Sequence, residues 1–386
     1  GGATGSNGME YMFNGCSSLD NDGVNFSKWC VSQYSDEPNY FRTNGTLFVE
    51  KPDWGYACED KTPGPISVPP YDYIEFKYDT DILLGQSSKP NASRIYLPFQ
   101  NYGQGTTIEW ADGNVTYREG YVANTTATDL DTTLRVTSTD FEAGSTITVK
   151  VYGDVKTFHG IKTRLDSGND LDNRIAWSND ALKSVKIVGM SSVTNCNFAF
   201  SNATNLESVD LTEFDSSNVT NMNYMFYNCT SIQTIDLTGS NNVSKVTSFI
   251  GTFYDCSSLT DLNITTWQTN DATTMYSMFE GCSDLPYIAP SSDANRENAE
   301  FILNTSKVTD MRHMFDNCSS LVKLHPTNWD TSSVTEMDYM FNNCSSLTFV
   351  DLGEWDVSNT EGGATGSNGM EYMFNGCSSL DNDGVN

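Results

Sequence analysis

Val334 to Trp355 reads VTEMDYMFNNCSSLTFVDLGEW, and its plan, V-T-x-M-x-x-M-F-x-x-C-x-x-L-x-x-V-x-L-x-x-W, recurs from Val193 onward. The phenylalanine of the plan falls at Phe200, Phe226, Phe253, Phe279, Phe315 and Phe341, and again at Phe374. Most copies stand 26 or 27 residues apart, with longer steps of 36 and 33 before Phe315 and Phe374. A repeat of roughly 20–29 residues with Leu-x-x-Leu-x-Leu character marks a leucine-rich-repeat type solenoid, in which each coil is too small to bury its own apolar face and stacks on the next.

The Leu-x-x-Val-x-Leu half places a short strand in every coil, and stacked coils pair these strands in parallel. The triplets are Leu206/Val209/Leu211, Ile232/Ile235/Leu237, Leu259/Leu262/Ile264 and Leu347/Val350/Leu352; upstream, Leu182/Val185/Ile187 keeps the spacing, so the sheet is expected to begin there. In two later coils Pro290 and Pro326 replace the last apolar residue of the triplet. Every coil needs the same filling, so the Met and Phe positions are read as a core ladder. Cys229, Cys256, Cys282, Cys318 and Cys344 recur at a position that asks for something small and apolar; Ala203 fills it in the first coil, where Cys196 replaces the first Met. No Cys-x-x-Cys pair of the kind used for metal or redox chemistry is present, so these are expected to be buried free thiols stacked in a column.

A longer repetition encloses the short one. Gly1 to Asn25, GGATGSNGMEYMFNGCSSLDNDGVN, returns unchanged as Gly362 to Asn386, an offset of 361 residues. Phe374 is thus the copy of Phe13. We expect a tandem array of 361-residue units, with both ends of this sequence falling inside the array.

Four regions follow. Residues 1–58 hold the last coil of one unit and a cap, in which Cys30 and Cys58 flank an irregular segment; a disulfide between them would stabilise it by about 3 kcal/mol and suits an oxidising compartment. Residues 59–72, EDKTPGPISVPPYD, read as a semi-rigid linker. In 73–158 the period changes to alternation, in Ile74-Phe76-Tyr78, Ile95-Leu97-Phe99, Ile108-Trp110 and Ile147-Val149-Val151, with a hairpin turn at Asp112-Gly113; short alternating strands predict an antiparallel β-sandwich. Residues 159–386 are the solenoid. The fold class is therefore mainly β.

The methionine-phenylalanine-cysteine-leucine coils resemble the BspA-type leucine-rich-repeat surface proteins. The Trp110-Ala111-Asp112-Gly113 hairpin resembles the W-G-D-G turn of immunoglobulin-like PKD domains, with Ala111 where that family has Gly. The resemblance implies cell-surface display and adhesion without catalysis, and it supplies no ligand and no binding residue.

Composition agrees with that class. Asp and Glu outnumber Lys and Arg 50 to 21, a formal charge of -29, which argues against nucleic acid as a partner. No apolar run approaches the roughly 18 residues needed to span a bilayer. There are three histidines, His159, His313 and His325, and no nucleophile elbow, metalloprotease or phosphate-loop motif, so no catalytic residue is assigned. Calcium is the cation that Asp166, Asp170 and Asp172 in LDSGNDLDN would suit, although such stretches also make plain turns. Tyr11, Tyr224 and Tyr339, two positions before the coil Phe, are candidates for a recognition stripe, interrupted at Gly251, Ser277 and His313. The expected function is a building block of an extracellular or cell-surface filament whose partners are copies of itself. The competing reading is an adhesin or phage-fibre module holding a surface glycan or protein.

Overall fold

The computed structural model describes residues 72–85, 94–96, 99–102, 107–111, 116–120, 133–135, 144–152, 155–158, 179–237, 242–264, 266–289, 292–360 and 369–380, together with 30–31 and 53–54. The chain forms two compact units that divide between Pro69 and Pro70, inside the proline-rich stretch. In the first unit, β1 (Cys30–Val31) and β2 (Asp53–Trp54) pair in parallel.

The second unit opens with β3 (Tyr73–Asp79), whose alternation buries Ile74, Phe76 and Tyr78 completely. Asp79 ends it by accepting the backbone N–H groups of Asp81 and Ile82 at 2.8 and 3.2 Å, which caps the short helix α1 (Thr80–Gly85). There follow β4 (Arg94–Tyr96), β5 (Phe99–Tyr102), β6 (Thr107–Ala111), β7 (Thr116–Gly120), β8 (Thr133–Arg135), β9 (Thr146–Tyr152) and β10 (Val155–Phe158). The hairpin expected around Asp112-Gly113 is present: β6 and β7 pair antiparallel with Trp110 opposite Tyr117.

The coils contribute β11 (Leu182–Gly189), β12 (Ser208–Phe214), β13 (Thr234–Asp236), β14 (Asp261–Asn263), β15 (Lys323–Leu324) and β16 (Phe349–Val350). Strands β11 to β14 pair in parallel, as the triplets require, but the sheet does not begin at Leu182. It continues through β3, antiparallel to β11, then β9, β6 and β7, so eight strands form one sheet in the order β14-β13-β12-β11-β3-β9-β6-β7. The first coil would otherwise present a row of unpaired backbone groups, and β3 satisfies them.

Each coil turns at two residues of positive φ. One stands two places after the ladder Phe: Asn202, Asn228, Asp255, Gly281, Asn317, Asn343 and Gly376. Asn, Asp and Gly are the residues that tolerate this region, so the repeated Asn/Asp/Gly before Cys is a turn signal. The other stands two places before the Phe and holds Phe198, Tyr224, Gly251, Ser277, His313, Tyr339 and Tyr372. Opposite the sheet, a second ladder of single parallel bridges runs through Thr157, Asn195, Asn221, Ser248, Thr274, Asp310 and Glu336. The family of coils amounts to a parallel β-solenoid of about six turns.

The coil interior is a stack of rings. Phe226 to Phe253, Phe279 to Phe315, Phe315 to Phe341 and Phe341 to Phe374 lie 5.3 to 5.7 Å apart and within 11° of parallel. Each buried Phe contributes about 1.5–3 kcal/mol from the area it removes from water, and each offset pair about 0.5–1.5 kcal/mol more. The thiols have a specific task beside them. Cys229, Cys256, Cys282, Cys318, Cys344 and Cys377 each donate to the carbonyl of the Phe one coil earlier, at 3.0 to 3.2 Å. That carbonyl also accepts the backbone N–H of its own coil's Cys, as Phe226 does from Cys229 at 3.2 Å.

The parallel sheet is interrupted once. β14 ends the eight-stranded sheet, and among the described strands β15 pairs with β16 alone. Between them the triplet ending at Pro290 makes no strand among the described residues, consistent with a proline that lacks the ladder N–H. The longer spacing there holds a 3-10 turn at Arg296–Asn298 and then Phe301, which is buried. Phe301 packs edge-on to Phe279, donates its N–H to His325 O at 2.8 Å and accepts from the Trp329 indole at 2.9 Å. The insertion thus supplies its own core residue.

Candidate functional site

At Phe198, Tyr224, His313, Tyr339 and Tyr372 the left-handed turn two places before the ladder Phe carries a half-buried or exposed ring, and consecutive coils bring such rings over one another. Phe198 and Tyr224 stack at 5.0 Å and 1°. His313 and Tyr339 stack at 4.8 Å and 4°, and Tyr339 and Tyr372 at 5.0 Å and 22°. His313 was expected to interrupt the stripe; it is instead a member, because an imidazole offers the same flat face as a phenol ring.

Gly251 and Ser277 leave room between the two stacks, and the ridge steps sideways around them. Tyr224 meets Tyr227 edge-on at 5.8 Å, and Tyr227 stacks on Tyr254 at 5.1 Å. Burial, with the Glu280 carboxylate nearby, raises the Tyr254 pKa, and the Ser277 hydroxyl donates to that carboxylate at 2.6 Å. Tyr224 and Tyr339 are half-buried, while Tyr372 is 57% exposed. The result is a ridge of rings with one polar step in the middle.

That step is the one trio among the described residues with metal-ligating donor atoms close together: Glu280, His313 and Asp316, all within 4.8 Å. Its hydrogen bonds close within the protein. His313 Nδ1 lies 2.8 Å from Asp316 Oδ2, and Asp316 Oδ1 accepts from Asn342 at 2.8 Å. The Asp316 carboxylate beside it raises the His313 pKa, and burial raises that of Glu280. Arg312 stands alongside, over the Tyr276 ring at 5.4 Å and 2.6 Å from Glu336. The trio is thus a His313–Asp316 pair, with Asp316 buried, and the half-buried Glu280 carboxylate beside it.

The ladder Phe residues lie in the core, and the five ladder cysteines are buried free thiols whose pKa is raised by desolvation. Asp166, Asp170, Asp172, Tyr11 and Cys58 lie outside the described residues, as does the Cys30 side chain. Sequence reading missed Glu280, Asp316 and Phe301. Glu280 and Asp316 sit directly after the ladder Phe, a position that holds Ser201, Tyr227 and Tyr254 in earlier coils and Asn342 and Asn375 in later ones, so no periodic signal marked them.

Stacked coils, two parallel ladders and an outward row of rings define a repeat protein of the β-solenoid class. The chain belongs to the family described as Mycoplasma protein of unknown function, DUF285, which matches residues 170–292 and 291–386. The two matches meet at the insertion that follows Pro290. No curated protein and no solved structure matches the chain. No described helix is long and apolar enough to cross a membrane.

Proposed function

We propose that this chain is a structural repeat unit of a giant secreted protein that builds an extracellular or cell-surface filament used for attachment. The observation that carries the reading is the behaviour of the second copy of the 25-residue stretch. Met370–Leu380 seats on the coil before it with the bonds of an interior coil: Phe341 N–H to Met373 O at 2.9 Å, Asn343 N–H to Asn375 O at 2.7 Å, and the Cys377 thiol to Phe341 O at 3.0 Å. A sequence that returns after 361 residues lands in register with the solenoid, so successive units would continue one geometry.

The finer resemblances belong to the same proposal: BspA-type leucine-rich repeats, a PKD-like immunoglobulin sandwich over 73–158, and a Cys30–Cys58 disulfide closing the cap outside the cell. The partners are copies of the chain itself. A second reading, an adhesin or fibre module for a surface glycan, has the half-exposed ring ridge in its favour, since aromatic faces suit sugar rings. Negative-stain electron microscopy of the native secreted material separates the two. Filaments with an axial repeat matching one unit support the first, and single flexible strands ending in a distinct head would replace it by the second.

A further inference from the structure

The coils on either side of the long insertion carry acids where the other coils do not. Glu280 follows Phe279 in the coil before the insertion, and Asp316 follows Phe315 in the coil after it. Backbone bonds from Phe279 N–H to Met314 O at 2.9 Å and from Gly281 N–H to Asp316 O at 2.8 Å set the two acids in one column. In the neighbouring coils that column holds Tyr227, Tyr254, Asn342 and Asn375, none of them charged. Two like charges sharing a site disfavour each other's ionised form, so this pair calls for a cation. Arg312 alongside is engaged by Asp310 at 2.8 Å and by Glu336 at 2.6 Å. His313 serves Asp316, and among the described residues no lysine or arginine pairs with Glu280.

Each member of the trio is held in place by a neighbour. The His313 ring stacks on Tyr339 and stands edge-on to Tyr276 at 5.7 Å, which fixes its plane. Asn342 donates to the buried Asp316 carboxylate at 2.8 Å, and Ser277 donates to Glu280 at 2.6 Å. Supporting bonds of this kind orient the ligands of metal sites. The three donor atoms lie within 4.8 Å of one another. Donors around a tetrahedral zinc, with bonds of about 2.1 Å, stand about 3.4 Å apart, and the rotatable end of Glu280 supplies the difference. The His313 side chain is 26% exposed, so the cluster is open to solvent. Burial raises the Glu280 pKa, the mark of a carboxylate short of both water and counter-charge.

We propose that Glu280, His313 and Asp316 bind one divalent transition-metal ion of the zinc class, which clips two neighbouring coils together. The imidazole selects the metal: one nitrogen with two carboxylates suits zinc, whereas calcium and magnesium take oxygen ligands. The ion replaces the proton between His313 and Asp316 and gives Glu280 the counter-charge it lacks. Three protein ligands leave a fourth position for water. Glu280 comes from the coil before the insertion and the other two ligands from the coil after it, so the clip joins the coils between which the parallel sheet is interrupted. The site forms within a single copy and stands apart from the filament reading.

The test is isothermal titration of the purified, chelator-stripped 386-residue chain with zinc chloride, alongside its melting temperature. The expected result is zinc binding that survives a large excess of calcium or magnesium, with a melting temperature that rises with zinc concentration. His313→Gln and Glu280→Gln should each weaken that binding by about tenfold or more, whereas His325→Gln should leave it unchanged. Both ligand substitutions keep the size of the side chain, or nearly so, and a circular dichroism spectrum matching the parent shows that the fold is retained. Cobalt in place of zinc should give the visible bands of an ion held by nitrogen and oxygen. No uptake of zinc, uptake indifferent to both ligand substitutions, displacement by calcium, or a cobalt spectrum carrying a thiolate charge-transfer band would each overturn the proposal.

Discussion

The imidazole of His313 and the ring of Tyr339 stack face to face, 4.8 Å between centroids and 4° from parallel, while the imidazole nitrogen holds Asp316 at 2.8 Å. The charged imidazole is therefore favoured in the folded chain, and its pKa is raised from 6.5. A raised folded value contributes stability that is fully present below the unfolded value and is lost as pH rises through the folded one. Glu280, raised from 4.5 by burial, acts with the same sign at lower pH. Melting followed by circular dichroism should show stability falling as pH is raised from 6.5, and His313→Gln should flatten that fall. An identical slope in the variant would remove His313 as its cause.

Phe253 is fully buried between Phe226 and Phe279, with centroids at 5.7 and 5.5 Å. Phe253→Ala should cost about 3–5 kcal/mol in urea unfolding, because coils on both sides lose their filling. Phe374 stacks on Phe341 alone among the described residues, so Phe374→Ala should cost less than half as much. Equal losses would mean the last coil is covered as well as an interior one.

Gly251 has φ of 56°, and a Cβ there would lie 2.5 Å from two carbons of the Tyr224 ring. Gly251→Ala should cost about 1–2 kcal/mol from backbone strain alone, with the displaced ring adding to it. In a double-mutant cycle with Tyr224→Ala the paired loss should be smaller than the sum of the single ones. Strict additivity would show that the ring does not depend on the missing side chain.

The ladder thiols should ignore an alkylating reagent in the folded protein. Burial pushes Cys256, Cys282 and Cys318 far from the thiolate, the reactive form, while Cys377 is only half-buried. Site-resolved mass spectrometry should find Cys377 labelled first in this column. Labelling of Cys282 at a similar rate would point to coils that open individually.

Much of the fold was legible because its period is set by local rules. The triplet Ile232/Ile235/Leu237 announces β13, and Phe226 with Cys229 announces the filling. What sequence could not show were relations across coils. Nothing near Ile74 says that β3 will pair with β11, since the partner lies more than a hundred residues away and both strands read as ordinary alternation. His313 read as an interruption in a row of tyrosines because periodicity compares residue types, whereas stacking compares flat faces. The Cys position read as merely small and apolar; that its thiol is a donor follows only once a Phe carbonyl of the previous coil is seen 3 Å away.

The interruption between β14 and β15 has a mechanical meaning. Up to β14 the sheet runs without a break, from β15 a second short sheet begins, and no described strand pair joins them. The ring stack and the opposite ladder, Thr274 to Asp310, still cross the gap. On the sheet side Ser320 and Val322 donate across the gap to Ser283 and Pro286, both at 3.0 Å, so single backbone bonds stand where a strand pair would be. The insertion spans the gap as well, with Arg296 donating to Thr260 O at 3.1 Å on one side and Glu297 lying 3.7 Å from Lys323 on the other, so the break in the sheet is bridged by a splint of side chains where elsewhere strand lies against strand.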